Sequence, residues 1–265
     1  MVPGVVAVLH TLYTHRAFIV RRALADLRNR YAGTAGGVVY NVVHPLALIG
    51  VYAAVFTNLM AGHTGGAREY VLRLCAGLLA WVALADAVTR GTAALVANAN
   101  YLKKLPIPEP VFVAQAAVSA TVGLAIGFGL LLIVGLAVGL QPRAAWVLLP
   151  VPIVLLQLLG LGVGLGLAAL NAFVRDVGEW VPVTLQLVFW TVPIVYPAAV
   201  LPDALAAALP WHPLYPAITA LQDLFVRGAI PPAGTWVAMA AWPVAALACA
   251  AGVLRAVAWE IRDVL

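Results

Sequence analysis

Long apolar runs separated by short charged turns organise this chain. Six runs lie near Val38–Met60, Tyr70–Ala93, Val111–Leu140, Ala144–Ala172, Trp180–Val200 and Thr235–Val257. Each has the roughly 20 apolar residues needed to cross a hydrocarbon core as a helix, and the third and fourth have length to spare for tilt. Ahead of them, Leu9, Tyr13, Ala17, Val20, Leu24, Leu27 and Tyr31 recur at spacings of three and four, one face of a helix, with Arg16, Arg21, Arg22, Arg28 and Arg30 largely off that face. A basic amphipathic helix of this kind lies in the membrane interface. Between the fifth and sixth runs, the segment 201–233 is broken by prolines and aromatics, from Leu201-Pro202-Asp203 through Pro210-Trp211-His212-Pro213-Leu214-Tyr215-Pro216. It is too interrupted to span and too apolar for a solvated loop. Backbone of this kind survives at membrane depth only where protein or a water cavity covers it, so re-entrant, gate-like helices are expected here.

Composition turns this pattern into a class. With 64% hydrophobic and 9% charged residues among 265, and a mean hydropathy of +1.02, the chain reads as a polytopic α-helical membrane protein in one domain, 1–265. Its net charge of +5 comes mostly from clusters and speaks to orientation rather than nucleic acid. Six spans put both termini on one side, together with the N-terminal arginines, Lys103, Lys104, Arg175, Arg255 and Arg262; the other side has Arg68, Arg73, Arg143 and Arg227. The positive-inside rule then places both termini in the cytoplasm and 201–233 outside. Apolar residues precede the basic ones at the N-terminus, the reverse of a signal peptide, so no cleavage is expected. Cys75 and Cys249 sit in separate apolar runs and read as buried small hydrophobes rather than a disulfide. Gly123/Gly127, Gly135/Gly139 and the alternating run Gly160, Gly162, Gly164, Gly166 have the spacing of close helix contacts.

Candidate chemistry is sparse. No Walker-type phosphate loop occurs, so no ATP site of the chain's own is expected. The five histidines are scattered without metal spacing, and no clustered carboxylates or nucleophile elbow appear. Asp86 and Arg90 lie four apart within the second run and read as a self-contained ion pair. The loop Asn98-Ala-Asn100-Tyr101-Leu-Lys103-Lys104-Leu-Pro106-Ile-Pro108 is basic and stopped by prolines; it fits either an ordinary positive-inside loop or a rigid contact for a soluble partner. Tyr40, Tyr52, Phe56, Phe189, Trp190 and Tyr196 put aromatic faces in the first and fifth runs, which suits sliding carbohydrate and equally suits packing or lipid contact.

These residues together resemble the type-2 ABC exporter permeases, in particular the O-antigen and teichoic-acid polysaccharide exporters. The resemblance runs through Asp26-Leu-Arg28-Asn-Arg30-Tyr31, Asn41-Val-Val-His44-Pro45, Gly77-Leu-Leu-Ala-Trp81, the 98–108 loop, Phe173-Val-Arg175-Asp176, Pro193-Ile-Val-Tyr196-Pro197, Pro213-Leu-Tyr215-Pro216 and Glu260-Ile-Arg262-Asp263, nearly the whole chain in order. His212-Pro213 stands where such permeases often have Asn-Pro. The resemblance implies a homodimeric permease in the cytoplasmic (inner) membrane, served by two copies of a separate ATPase subunit that holds ATP and Mg²⁺. In it, residues 11–31 form an interface helix (Arg21, Arg22, Arg28, Arg30), 98–108 a coupling segment (Asn98, Asn100, Tyr101, Lys103, Lys104, Pro106), and 201–227 gate helices, with Pro193, Trp211, Pro213 and Tyr215 at the gate. A lipid-linked glycan would pass along a seam lined by the first and fifth spans, at Tyr40, Tyr52, Phe56, Phe189, Trp190 and Tyr196. A type-2 permease for a small lipid or drug would carry the same six spans, and a membrane-embedded enzyme of glycolipid synthesis is the third reading.

Overall fold

The computed structural model describes residues 4–29, 43, 45–47, 49–52, 54–55, 66–257 and 260–261. They are helical apart from turns and short connections. Helices α1 (Val5–Thr14) and α2 (Arg16–Asn29) are followed by α3 (Ala67–Ala97), α4 (Ala99–Lys104), α5 (Glu109–Ala137), α6 (Pro150–Phe173), α7 (Asp176–Phe189), α8 (Asp203–Ala208), α9 (Tyr215–Gln222) and α10 (Ala233–Val257).

Four helices among the described residues are long and apolar enough to span: Arg68–Ala97, Glu109–Ala137, Ala144–Phe173 and Ala233–Val257. They correspond to the second, third, fourth and sixth expected runs, and the protein is a multi-pass membrane protein. The expected Val38–Met60 run lies mostly outside the described residues. The expected Trp180–Val200 run differs: α7 stops at Phe189 after 14 residues, and a turn-rich stretch carries the chain onward. Pro193 and Pro197, which supply no backbone N–H, disfavour continuation there.

α3 is the hub, with 78% of its most apolar window buried inside the fold. It packs against α5 and α6, and α6 in turn packs against α10. Glycine allows the closest of these approaches. A Cβ on Gly91 would lie 3.3 Å from the Gly164 Cα, and one on Gly162 would lie 2.9 Å from the Leu247 nitrogen. The alternating run therefore divides by face, with Gly160 and Gly164 toward α3 and Gly162 and Gly166 toward α10. The other expected pairs behave differently. Gly123 has nothing within 4 Å of an added Cβ, and Gly139 (φ +85°) sits in the turn after α5, where its left-handed backbone is what glycine permits. Cys75 is buried as expected, whereas Cys249 is exposed on α10.

The N-terminal helix is broken at His15 into α1 and α2. Its packed face consists of Val8, Ile19, Ala23 and Leu27, all under 9% exposed. Of the stripe read from sequence, Leu9, Tyr13, Val20 and Leu24 are 44–67% exposed, while its Leu27 belongs to the packed face. One face grips the protein, and a second apolar face is left for an interface.

Gln157 on α6 is 4% exposed, and neither its amide oxygen nor its nitrogen has a partner among the described residues. An unpaired buried amide costs about 1–3 kcal/mol. Gln157→Leu is therefore expected to raise the thermal unfolding midpoint in detergent; a lower midpoint would show that the amide is paired in the assembled protein.

Candidate functional site

At the basic end of the fold, α2 lies on the 98–108 segment. The Arg22 guanidinium donates from Nε to Gln115 Oε1 (3.4 Å) and from Nη2 to Asn98 Oδ1 (3.4 Å). It also stands 5.0 Å above the Tyr101 ring and 5.8 Å from that of Phe18, within reach of a cation–π attraction. Asn98 spends its Nδ2 on the Ala94 carbonyl at 2.8 Å, which orients Oδ1 to accept from Arg22. α4 is pinned by Leu102, 0% exposed, while Tyr101 and Leu105 are 48% and 42% exposed. Asn100, Lys103, Lys104 and Pro106 are also exposed. The result is a small knob, cationic and apolar together. Of the arginines expected on the interface helix, Arg22 makes the contact, Arg21 and Arg28 are exposed, and Arg30 lies outside the described residues.

One helical turn further along α2, Asp26 corrects the picture of a self-contained Asp86–Arg90 pair. Arg90 grips Asp86 through Nε (2.8 Å) and Nη2 (2.6 Å), and its Nη1 reaches Asp26 Oδ2 at 2.7 Å. Ser119 Oγ donates to the same Asp26 oxygen (2.8 Å), and Arg90 Nη2 also meets the Ala116 carbonyl at 3.2 Å. One guanidinium thus ties α2, α3 and α5 together, with about 30% of each charged side chain exposed. Asp26 is the lone acid between Leu9 and Tyr31, a helix otherwise rich in arginine. That isolation was the available sequence signal.

The charged turn after α6 is held by Asn171, whose Oδ1 accepts the Gly178 N–H (2.8 Å) and whose Nδ2 donates to the Thr92 carbonyl (3.2 Å). α7 then leaves most of itself uncovered. Trp180 (66% exposed), Val183 (52%), Leu187 (68%) and, just past its end, Trp190 (56%) form a stripe at spacings of three, four and three. Behind it, an apolar cleft of about 590 Å³ is walled by α3, α6 and α7 and closed by Pro213 and Leu214. Phe189 stacks at a tilt on Trp81 (5.4 Å between centroids) and edge-on to Trp190 (5.2 Å).

Beyond α7 the chain folds back under tyrosine control. Tyr196 Oη donates to the Trp190 carbonyl (2.7 Å), and Tyr70 Oη donates to that of Val195. Phe189, Trp190 and Tyr196 are thus brought together, Tyr52 is half-buried against the same large core, and Tyr40 and Phe56 lie outside the described residues. α8 and α9 occupy the segment expected to form gate helices. α9 and the π-helical turn after it are anchored to the start of α3 by Arg73–Asp223, by Arg227 Nε to Glu69 Oε1 (2.8 Å), and by Gln222 Nε2 to the Arg73 carbonyl (3.1 Å). Trp146 Nε1 also donates to the Phe225 carbonyl (2.9 Å). Of the expected gate residues, Pro193 is buried, Pro213 and Tyr215 are half-buried, and Trp211 is 80% exposed. Burial pushes the Tyr215 phenol up, with Arg73 opposing the rise and Asp223 adding to it.

His212 stitches the two halves of this region. Thr191 Oγ1 donates to the Val188 carbonyl (2.7 Å), so at its 3.0 Å contact with His212 Nε2 it accepts. The Leu214 N–H donates to His212 Nδ1 (3.2 Å). Both contacts suit a neutral ring protonated at Nε2, and burial lowers the His212 pKa.

A family model described as ABC-2 type transporter matches residues 19–226. The chain is 26% identical over 252 residues to a protein of Myxococcus xanthus named O-antigen export system permease protein RfbA, covering 94% of this chain and 96% of that one. It is 25% identical over 206 residues to a protein of the same name from Klebsiella pneumoniae, covering 77% of this chain and 78% of that one.

Two outcomes follow from these contacts. Arg90→Met should release α2 from α3 and α5, detected as loss of a disulfide cross-link engineered between α2 and the 98–108 segment; an unchanged cross-linking rate would show that packing of Ile19 and Ala23 suffices. For His212, the unfolded ring takes up a proton near pH 6.5 while the folded ring resists until lower pH. Its contribution to stability is therefore complete above about pH 6.5 and is lost as pH falls below it. Proteolysis of the 200–214 segment should accelerate on acidification, and His212→Asn, which keeps an acceptor for Leu214, should remove that acceleration.

Proposed function

The chain belongs to the ABC-2 type transporter family, and from that premise we propose that it is the transmembrane subunit of an ATP-driven exporter moving a lipid-linked, O-antigen-like or teichoic-acid-like polysaccharide across the cytoplasmic membrane. The observation that carries this reading is the near end-to-end likeness to a permease named for O-antigen export. In it the chain is a homodimer with six spans per protomer, the two short of a described spanning helix being the one near 38–60 and the one begun by α7. Clustering of lysine and arginine supports cytoplasmic termini. Two copies of a separate subunit hold ATP and Mg²⁺, and this chain supplies the path.

The mechanism uses the contacts described. The knob of Tyr101, Lys103, Lys104 and Leu105 seats in the ATPase subunit, whose closure on ATP displaces the 98–108 segment. Arg22 passes that displacement to α2, and Arg90 passes it to α3 and α5. The exposed stripe Trp180, Val183, Leu187 and Trp190 meets the partner protomer. There aromatic faces offer a glycan C–H contacts without fixing it, since stacking is weakly directional compared with hydrogen bonds. The short segments of 201–227 gate the outer end. The apolar cleft behind α7 favours a second reading, a permease for a small lipid or amphiphile.

The deciding experiment is ATPase activity of the purified two-subunit complex with and without the lipid-linked glycan. Stimulation by the glycolipid is expected. Stimulation by small amphiphiles alone would select the second reading, and absence of a complex would remove both. Lys103→Ala/Lys104→Ala should weaken the ATPase subunit's binding about tenfold, equivalent to about 1.4 kcal/mol; unchanged binding and coupling would take the lysines out of the contact.

A further inference from the structure

At the outer end in the proposed orientation, a cavity of about 240 Å³ lies between the start of α3, the folded-back stretch 193–199 and α9. Unlike the cleft behind α7, it sets polar side chains, Glu69, Arg73, Tyr196, Tyr215, Thr219 and Arg227, among the apolar residues of its wall. The hydrogen bonds inside it leave much unspent. A guanidinium carries five N–H donors; among the described residues Arg73 commits one to Asp223 and Arg227 one to Glu69 Oε1. The Tyr215 hydroxyl makes no hydrogen bond to a described residue, and Glu69 keeps its second oxygen for a donor. Tyr196 has donated its proton to the Trp190 carbonyl, so its oxygen can accept and its ring is held against the cavity wall. The charges pair off, Arg73 with Asp223 and Arg227 with Glu69.

With Asp223 balancing Arg73 from outside the lining, the wall offers arranged donors, a carboxylate acceptor and aromatic rings, the chemistry that holds a sugar, whose hydroxyls both donate and accept and whose C–H face packs on a ring. An anion could reach the spare guanidinium N–H groups, but Asp223 and Glu69 already neutralise the charge that would attract it. The volume lies below the roughly 300–1,000 Å³ of sites for drug-sized ligands, which limits the occupant to about one ring. The cavity also begins where the aromatic run ends, since Tyr196 is bonded to the backbone of Trp190.

We propose that this cavity is a binding station for a single neutral pyranose unit of the exported glycan, one per protomer, reached as the glycan leaves the Phe189–Trp190 surface. The proposal rests on the reading of the chain as a glycan exporter. A station on a conduction path must bind loosely enough to release, so its dissociation constant is of the order of 1 mM, about 4 kcal/mol of binding.

The test uses the complex with its ATPase subunit in lipid nanodiscs. Thr219→Cys places a thiol in the cavity wall, Cys249→Ala removes the exposed native thiol, and Cys75 is buried. The rate of labelling by a small methanethiosulfonate is measured with and without about 10 mM neutral oligosaccharide released by mild acid from the producing cell's surface glycan. The sugar is expected to slow labelling about fivefold or more. Glu69→Gln/Arg227→Gln should abolish that protection while leaving the unprotected rate within about twofold, and Tyr215→Phe, which loses only a hydroxyl, should reduce it. Protection that survives in all these variants would place the sugar elsewhere and overturn the station. No protection in a complex whose ATPase is still stimulated by glycolipid would overturn the station alone. No protection and no stimulation would overturn the export reading with it.

Discussion

Backbone N–H and C=O groups inside hydrocarbon have no water to turn to, and the architecture follows from how each is satisfied. Along α3, α5, α6 and α10 the helix itself answers the demand. The instructive region is 190–200, where the helix of α7 has ended. There the Thr191 and Val192 N–H groups bond to Val188 and Phe189 carbonyls, and that of Ile194 bonds to Val192. Two tyrosine hydroxyls cap the carbonyls of Trp190 and Val195. Irregular chain persists because other parts of the protein take over the work of the helix. Breaking the helix after Phe189 is thus tied to the tyrosines that surround it.

The same economy governs the charges. Arg90 is tolerable within an apolar helix because two carboxylates and the Ala116 carbonyl, drawn from three elements, accept from it. Arg73 and Arg227 sit at the other end of α3, each matched with an acid from the α3 start or from the turn after α9. The hub helix is therefore fastened at both ends by ion pairs and in the middle by glycine contacts. The elements fastened to it, α2 at one end and α9 at the other, are those to which the proposed mechanism gives the partner and the substrate.

Much of the architecture was legible in the sequence because hydrocarbon thickness imposes a length, and a run such as Val111–Leu140 has no other use for so many apolar residues. The 98–108 segment was legible through its prolines and lysines. The docking of Asn98 and Tyr101 on Arg22 was less so, since the partners are 76 and 79 positions away. Asp26 was missed for the same reason: local spacing pairs Arg90 with Asp86, and the isolation of Asp26 among arginines marks it without naming a partner 64 positions on. The N-terminal stripe was read as one face, but Leu27 falls on the packed side and Leu9, Tyr13, Val20 and Leu24 on the exposed side, because the side of α2 that meets α5 is a tertiary fact. The end of α7 at Phe189 was obscured because its continuation to Val200 is just as apolar. The polar cavity was invisible, as it draws a few residues from each of three stretches far apart in sequence.

The anchoring of α4 by one side chain has a mechanical consequence. Leu102 is fully enclosed while the residues on either side of it stand in the open, so this six-residue helix is seated like a ball in a socket. A push delivered off-centre from that seat would act on the helix as a torque. The Arg22 contact lies to one side of the pivot and would convert that torque into a sideways drag on the amphipathic helix. In the proposed exporter, a nucleotide-driven stroke of modest length would in this way be geared into rotation rather than spent on compression.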